Sequence, residues 1–353
     1  MKKIETNISY YIMFLIDKYK VSHLDEIVFN KKFYNYEFNR IINNCQNVLV
    51  TGSTCSGKKT LVNLILSTIY GSGANNLKEV DYEVNNYGSN KVKVKLFQSN
   101  YHLVFIPNGS AVDKYVVQET ITEYCQKIDQ YYFKSNVQYK SIVILKAELL
   151  SEQSQSSLKT LMEKYQNNVR FFLVCKSTTC VIEPLKNRLL QVVLSCPKKE
   201  DMDIILRKVC LKEKIDISEE KLNQIINESK RNVEQALMLL QCFMLGIEWD
   251  CYWTKILDDI IQKILNNDIS STKDINYIRE GLGLLFITNI EADKILSYML
   301  LTLSKKVTDI EKSHRISTII STYDKRVKNA TRYILHLEAA IYNICDILHQ
   351  LER

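Results

Sequence analysis

The sequence predicts a mixed fold, in which one α/β domain is followed by domains built only of helices. In the first 196 residues short apolar runs alternate with amphipathic stretches, whereas after Pro197 only the amphipathic stretches continue. The chain has 353 residues but only 9 glycines and 3 prolines, which favours long helices with short connections. This length exceeds that of a usual single domain, so two or three domains are expected.

Five apolar runs in the first part of the chain predict β-strands. Each is apolar nearly throughout, which is typical of strands covered on both faces. Because amphipathic stretches separate most of them, the pattern predicts a mostly parallel sheet with helices on both sides. Residues 70–96 are expected to form a polar loop that leads into a strand. The five runs are NVLVT (47–51), YHLVFI (101–106), SIVILK (141–146), VRFFLVC (169–175) and QVVLS (191–195).

The amphipathic stretches predict the helices and the domain boundaries. Two of them, 113–128 and 152–165, lie between strands of an α/β domain that spans residues 1–196. Three more predict a small helical domain over 197–250, and a last group predicts a helical domain over 251–353. The stretches behind Pro197 are 198–215, 218–229, 232–245, 253–267, 274–287, 291–306 and 330–351.

Charge and cysteine content narrow the functional classes. The net charge of +7 permits contact with a polyanion such as DNA but does not require it. Ten cysteines occur without a Cys-x-x-Cys pair or histidines at ligand spacing, so we expect reduced thiols rather than a zinc site. No apolar stretch is long enough to cross a bilayer and no signal-peptide cleavage site follows the first apolar run, so we expect an intracellular protein without a membrane partner.

Residues 47–66 have the pattern of a phosphate-binding P-loop. An apolar strand leads through a turn of small residues into a helix, and Gly52, Gly57 and Lys58 have the motif's spacing. The glycines let backbone N–H groups turn towards a phosphate, while the helix N-terminus and the lysine favour its charge. The alternative is an ordinary turn between strand and helix. The expected nucleotide contacts are Gly52, Ser53, Thr54, Cys55, Ser56, Gly57, Lys58, Lys59 and Thr60.

The P-loop departs from its motif at one position. Lys59 stands where Ser or Thr would supply a hydroxyl to magnesium. Thr60 lies one position too late for that role, although its hydroxyl could still contact the α-phosphate. The sequence therefore predicts phosphate binding and questions magnesium binding.

The segment GSTCSGKKT resembles the P-loop of one small subunit of replication factor C, the eukaryotic sliding-clamp loader of the AAA+ family. This subunit type, numbered three or five in different nomenclatures, has a loop that ends in Gly-Lys-Lys-Thr. The resemblance extends in order through almost the whole chain. Its further segments are LIDKYKVSHLDEIV (15–28), SNYHLVFIPN with DKYVVQE (99–119), SSLKTLMEKYQNNVRFFLVCKST (156–178), IEPLKNRLL (182–190) and YDKRVKNATRYILHLEAAI (323–341).

The resemblance implies an AAA+ αβα nucleotide-binding domain with a parallel sheet, a helical lid and a C-terminal helical collar. It also implies a nuclear heteropentamer of replication factor C subunits that binds ATP or ADP. That complex loads the PCNA sliding clamp onto primer–template DNA without reading its sequence. A variant of this reading is a subunit shared with an alternative loader for a checkpoint clamp. Within the opening segment, Ile16, Tyr19 and Val28 are expected to contribute to nucleotide binding.

Four further positions depart from the active members of this family. The magnesium-binding acid after the strand at 141–146 aligns with Leu145 and the catalytic acid with Lys146. The two sensor positions, usually Asn and Arg, align with Lys176 and Glu234. Because hydrolysis needs a held magnesium ion and a carboxylate that orients water, we expect no hydrolysis at this site. The rival interpretation is a working ATPase whose acid is a misaligned residue such as Glu148.

The same alignment suggests what the site retains. Lys59 and Lys146 could replace the charge of magnesium, so that ATP or ADP is held without the metal. The alternative is a pocket that has lost its binding groups and no longer holds nucleotide. Arg188 in KNRLL corresponds to the arginine finger that acts in trans on a neighbour's γ-phosphate, and otherwise it is a surface arginine. Ser151, an expected helix N-cap, and Lys159 are the weak candidates for contact with DNA phosphates.

Overall fold

The structure is a computed structural model that describes residues 13–44, 46–85, 91–127, 139–247, 252–266, 272–288, 290–330 and 332–349. The chain divides into two compact units, 1–248 and 249–353. The three predicted domain ranges stay predictions. Within the described residues, no helix has the length and apolar character needed to cross a membrane.

The first unit contains a seven-stranded sheet and the helices that cover it. Its strands are β1 (Val48–Thr51), β2 (Lys78–Asn85), β3 (Lys91–Gln98), β4 (His102–Phe105), β5 (Lys140–Leu145), β6 (Val169–Cys175) and β7 (Leu190–Val193). Its first helices are α1 (Leu15–Lys18), α2 (Lys31–Asn44), α3 (Lys58–Tyr70) and α4 (Val112–Tyr115), which continues through a π-helical turn (Val116–Ile121) into α5 (Thr122–Gln126). The helices α6 (Glu152–Lys164) and α7 (Glu183–Lys186) follow.

The sheet order is β2-β3-β4-β5-β6-β1-β7. The five strands β4, β5, β6, β1 and β7 are parallel to one another. All five predicted strands and their parallel arrangement are therefore confirmed. The expectation for residues 70–96 is wrong in part, since β2 and β3 form an antiparallel pair at the edge. Its outer face carries alternating charges, with the Lys95 ammonium 2.9 Å from the Glu79 carboxylate. Charged and apolar residues alternate along both strands, which is the period-two pattern of a half-buried strand.

Helices cover both faces of the parallel strands, as predicted. Along β1, Leu49 packs into one apolar cluster while Val48 and Val50 pack into another, because successive side chains of a strand point to opposite faces. The first cluster includes residues of the π-helical turn and of α6, and the second includes residues of α2 and α3. The sheet is thus the middle layer of an αβα arrangement.

Three helices complete the first unit: α8 (Lys199–Glu213), α9 (Glu219–Glu228) and α10 (Val233–Met244). They share an apolar cluster into which Leu15 of α1 also packs. The side chains of Ser218 and Asn232 cap α9 and α10 by accepting backbone N–H groups. These caps explain why the two helices begin where they do.

The second unit consists of helices packed around one apolar cluster. Its segment 323–341, which resembles the family's C-terminal helix, belongs to two helices, since one ends at Asn329 and the next begins at Tyr333. The long helix before this point was not predicted. The helices are α11 (Tyr252–Leu265), α12 (Thr272–Ile287), α13 (Ala292–Lys306), α14 (Ile310–Asn329) and α15 (Tyr333–His349).

Candidate nucleotide site

The candidate site lies at the carboxyl edge of the parallel strands. The P-loop leaves the end of β1, and β1 pairs with β6, which in turn pairs with β5. Leu145 ends β5, Lys146 follows it, and Lys176 follows β6. Parallel strands end at the same edge of a sheet, so the topology brings these three positions and the P-loop to one edge. Ligands bind at such edges in open α/β sheets.

The backbone of the P-loop requires glycine at two positions. Gly52 has a φ of 151°, and a Cβ atom there would lie 2.3 Å from the carbonyl oxygen of Leu194. Gly57 has a φ of 83° and is the N-cap residue of α3. Cys55 also adopts a positive φ, 60°, which is uncommon for a residue with a side chain. Together these conformations turn the loop back towards the first turn of α3.

The ammonium of Lys58 lies within this loop. It donates hydrogen bonds to the carbonyl oxygens of Gly52, at 2.8 Å, and Ser53. Burial lowers its pKa, while the neighbouring side chains of Cys55 and Glu148 act in the opposite direction. The loop thus holds a half-buried positive charge at the N-terminus of α3, where backbone N–H groups and the helix dipole also favour an anion.

Groups from the end of the α/β region and from α10 touch the loop. The Sγ atom of Cys196 lies 2.8 Å from Ser53 Oγ, and its thiol donates to the Thr54 carbonyl oxygen at 3.7 Å. The Cys55 thiol donates to Glu234 Oε2 at 3.9 Å. Burial, with Glu234 as the second cause, raises the pKa of Cys55 to about 11. The predicted sensor position Glu234 is therefore beside the loop, where its charge disfavours an anion.

The end of β5 carries one acid near the loop. Leu145 packs against the apolar cluster of α2 and α3, and Lys146 is exposed with a φ of 56°. The Oε2 atom of Glu148 is buried, and no hydrogen-bond partner is found for it among the described residues. Burial, followed by Glu148, raises the pKa of Cys175 to about 11. Glu148 is thus the acid that remains after β5, where Leu145 and Lys146 stand at the two positions that are acidic in active relatives.

Two of the residues expected to bind nucleotide contact the helices α8 to α10. Ile16 and Tyr19 pack against the apolar cluster of α8 to α10. The Tyr19 hydroxyl donates to the Glu213 carboxylate, which also lies 2.6 Å from the Lys18 ammonium. Burial and then Glu213 raise the pKa of Tyr19. These contacts join the opening segment to α8.

Val28 is half-buried, and the two residues after it contact the P-loop region. The ring of Phe29 lies 3.5 Å from where a Cβ of Gly57 would stand. The side chain of Asn30 donates to the Ser195 carbonyl oxygen at 3.0 Å and accepts from the Ser195 hydroxyl at 2.7 Å. Sequence reasoning missed Phe29, Asn30 and Cys196. Only the position of Phe29 next to Val28 could have indicated one of them.

The remaining predicted residues lie on α6 and between α7 and β7. Ser151 is the N-cap of α6, as predicted, and its hydroxyl accepts from the Ser154 N–H at 3.3 Å. The Lys159 ammonium lies 3.9 Å from Glu163. Arg188 donates from Nη1 to the Pro184 carbonyl oxygen at 2.7 Å and pairs through Nη2 with Glu163. Their roles towards DNA and a neighbour's nucleotide stay predictions.

The residues of the site fit a phosphate group better than a metal ion. A glycine cradle, a lysine and a helix N-terminus suit an anion. Among the described residues, no three His, Cys, Asp or Glu side chains are grouped so that they could hold a metal ion. Lys59, at the position of the usual magnesium ligand, is exposed. A lysine thus occupies the position from which a hydroxyl usually holds magnesium.

Comparison with known proteins identifies related chains. Residues 204–245 match the family described as RCF1/5-like, AAA+ ATPase lid domain. The chain is 26% identical over 345 residues to a replication factor C small subunit of Acanthamoeba polyphaga mimivirus, with 96% of this chain and 91% of that protein covered. It is 29% identical to replication factor C subunit 3 of Dictyostelium discoideum (95% and 98% covered) and 25% identical to that of Homo sapiens (92% and 93% covered). The resemblance found in the sequence is confirmed: the chain is similar along nearly its whole length to replication factor C small subunits, and it has an AAA+ fold in which residues 204–245 match a lid domain of that type.

Proposed function

We propose that this chain is a small subunit of a clamp loader of the replication factor C type. It binds ATP or ADP in its P-loop without hydrolysing it, and it donates Arg188 to the nucleotide site of a neighbouring subunit. Its partners are the other subunits of a heteropentamer, the PCNA sliding clamp and primer–template DNA, in the nucleus. The similarity to replication factor C subunits along nearly the whole chain supports membership in such a heteropentamer.

One contrast within the site supports binding without hydrolysis. The P-loop keeps glycine at its two positive-φ positions and keeps its half-buried Lys58, so the groups that hold phosphate are present. The end of β5 carries Leu145 and Lys146, and neither can bind magnesium or orient water. When bound, the nucleotide supplies a phosphate chain for which Lys58 and the first turn of α3 provide the counter-charge. Lys59 and Lys146, both exposed at this edge, add positive charge in place of a metal.

Equilibrium binding of ATP and ADP to the purified chain tests this proposal. We expect binding in the presence of EDTA that magnesium strengthens little, and at least a tenfold loss in Lys58→Ala. Lys91→Ala, on the hairpin of β2 and β3, is the matched control because it removes one exposed lysine away from the P-loop. Equal and negligible binding by the unmodified chain and by Lys58→Ala would refute a functional loop.

ATP hydrolysis by the assembled complex tests the role of Arg188. An arginine finger contributes about 10³–10⁵ to the rate of phosphoryl transfer. In a complex isolated through a tagged copy of this chain, in which P-loop substitutions silence every nucleotide site except the neighbouring one, Arg188→Ala should lower DNA-stimulated hydrolysis by at least tenfold. The other sites are silenced because the loss of one site can lower the total rate only by the share of that site. An unchanged rate in a fully assembled complex would contradict the role in trans.

A second candidate function is hydrolysis at this chain's own site with Glu148 as the acid. The buried Oε2 atom and the electrostatic effect of Glu148 on Lys58 favour this possibility. Hydrolysis by the purified chain that disappears in Glu148→Gln would establish it. Absence of hydrolysis, together with nucleotide binding, supports the first proposal.

Affinity isolation of the tagged chain identifies its assembly. Recovery with a replication factor C large subunit supports the replication loader, whereas recovery with a different large subunit supports the alternative checkpoint loader.

Salt-sensitive binding of the complex to primer–template DNA of any sequence is expected, since contacts to phosphates carry no sequence information. Recovery of the chain without other loader subunits would contradict the proposed assembly.

A further inference from the structure

The guanidinium of Arg188 is held at two points. Its Nη1 donates to the carbonyl oxygen of Pro184 on α7, and its Nη2 pairs with the carboxylate of Glu163 in the last turn of α6. The two contacts come from different helices, so together they restrain the long side chain in one orientation. An arginine has five N–H donors, and these contacts use two of them. The others remain to meet a further acceptor.

Glu163 interacts unequally with the two cations beside it. The Lys159 ammonium, one turn earlier on α6, lies 3.9 Å from Glu163 Oε1, at the outer limit of an ion pair. The contact of Arg188 with the same oxygen is much closer. The Glu163 side chain is 46% exposed and the Arg188 side chain is 36% exposed. Ion pairs between exposed side chains add little stability, so substitution of Glu163 should change the orientation of Arg188 more than the stability of the fold.

We propose that Glu163 is a positioning residue for Arg188. It holds the guanidinium between its carboxylate and the Pro184 carbonyl, so that the side chain is ordered before it meets a phosphate of the neighbouring subunit. Preorganised positive charge is more effective in phosphoryl transfer than a flexible side chain, because the ordering is complete before the transition state forms. This inference rests on the proposed role of Arg188 in trans.

The test measures ATP hydrolysis by the same assembled complex, in which the neighbouring nucleotide site is the active one, and each substitution tested is made in this chain. Glu163→Gln keeps the shape of the side chain and removes its charge, and we expect kcat to fall by about threefold to tenfold with little change in KM. Glu163→Asp, which keeps the carboxylate, should recover part of the loss. Glu183→Gln is the matched control, because Glu183 on α7 pairs with Lys186, and it should leave the rate unchanged.

A double-mutant cycle separates positioning from a general structural effect. If Glu163 acts through Arg188, Glu163→Gln causes no further loss in a chain that already carries Arg188→Ala. An equal loss in both backgrounds would overturn the inference, and so would a normal rate for Glu163→Gln where Arg188→Ala is slow. A normal rate for Arg188→Ala would instead refute the proposed function on which the inference rests.

Discussion

Replacing Gly52 by alanine should destabilise the protein and weaken ATP binding more than the same replacement at a glycine in an open turn. The new Cβ atom would lie 2.3 Å from the carbonyl oxygen of Leu194 and 2.7 Å from Ser56 Oγ. The first of these is a backbone atom that cannot rotate away. Its residue also donates its N–H to the Thr51 carbonyl oxygen at 2.8 Å, so any displacement weakens the contact beyond the end of β7.

The expected cost follows from these two effects. A residue with a side chain at this φ costs about 1–3 kcal/mol. Loss of the hydrogen bond between Leu194 and Thr51 adds about 1 kcal/mol. We therefore expect Gly52→Ala to lower the free energy of unfolding by about 2–4 kcal/mol. Gly71→Ala is the matched control, since Gly71 has a φ of 73° and a ψ of −163°, a conformation that also favours glycine, but no atom lies within 4 Å of its Cβ position. This substitution should therefore carry only the backbone cost of about 1–3 kcal/mol.

Urea unfolding of the full chain and equilibrium binding of ATP measure the two consequences. Gly52→Ala should unfold at a clearly lower urea concentration than Gly71→Ala and should lose ATP binding by at least tenfold. Gly71→Ala should keep normal affinity, because Gly71 follows the far end of α3. Equal destabilisation by the two substitutions, or normal ATP binding by Gly52→Ala, would refute the reasoning from the close approach to Leu194.

Three other predictions concern charge and protonation. Glu234→Gln removes a carboxylate beside Cys55 and should tighten ATP binding by roughly fivefold, about 1 kcal/mol; unchanged or weaker binding would contradict this. Because the pKa of Cys55 is about 11, its alkylation by iodoacetamide, followed by mass spectrometry with exposed Cys180 as reference, should accelerate about tenfold per pH unit from pH 7 to 10. A plateau below pH 9 would oppose that assignment. Burial lowers the pKa of His102 to about 4, so the unfolded chain binds an extra proton below about pH 6.5. Stability should therefore fall by about 3 kcal/mol between pH 6.5 and 4, and the same urea titration on His102→Gln should show a shallower fall.

The sequence alone predicted the parts of this protein that depend on neighbouring residues. The strand, loop and helix of residues 47–66 could be predicted because an apolar run, two spaced glycines and a helical period are local patterns. The parallel strands and most helices behind Pro197 followed in the same way. The edge hairpin of β2 and β3 was missed because residues 70–96 were assigned to a polar loop from their composition, although charged and apolar residues alternate along both strands as in a half-buried sheet.

Only the tertiary structure decided which distant side chains meet. Cys196 lies against Ser53, 143 positions away, and Tyr19 bonds to Glu213 across 194 positions. The pair of Glu163 and Arg188 likewise needs α6 and α7 to pack side by side. Such contacts depend on how whole elements pack, and no spacing along the chain encodes that packing. The sequence therefore determined that a phosphate loop is present, and the fold determined which charges and thiols surround it.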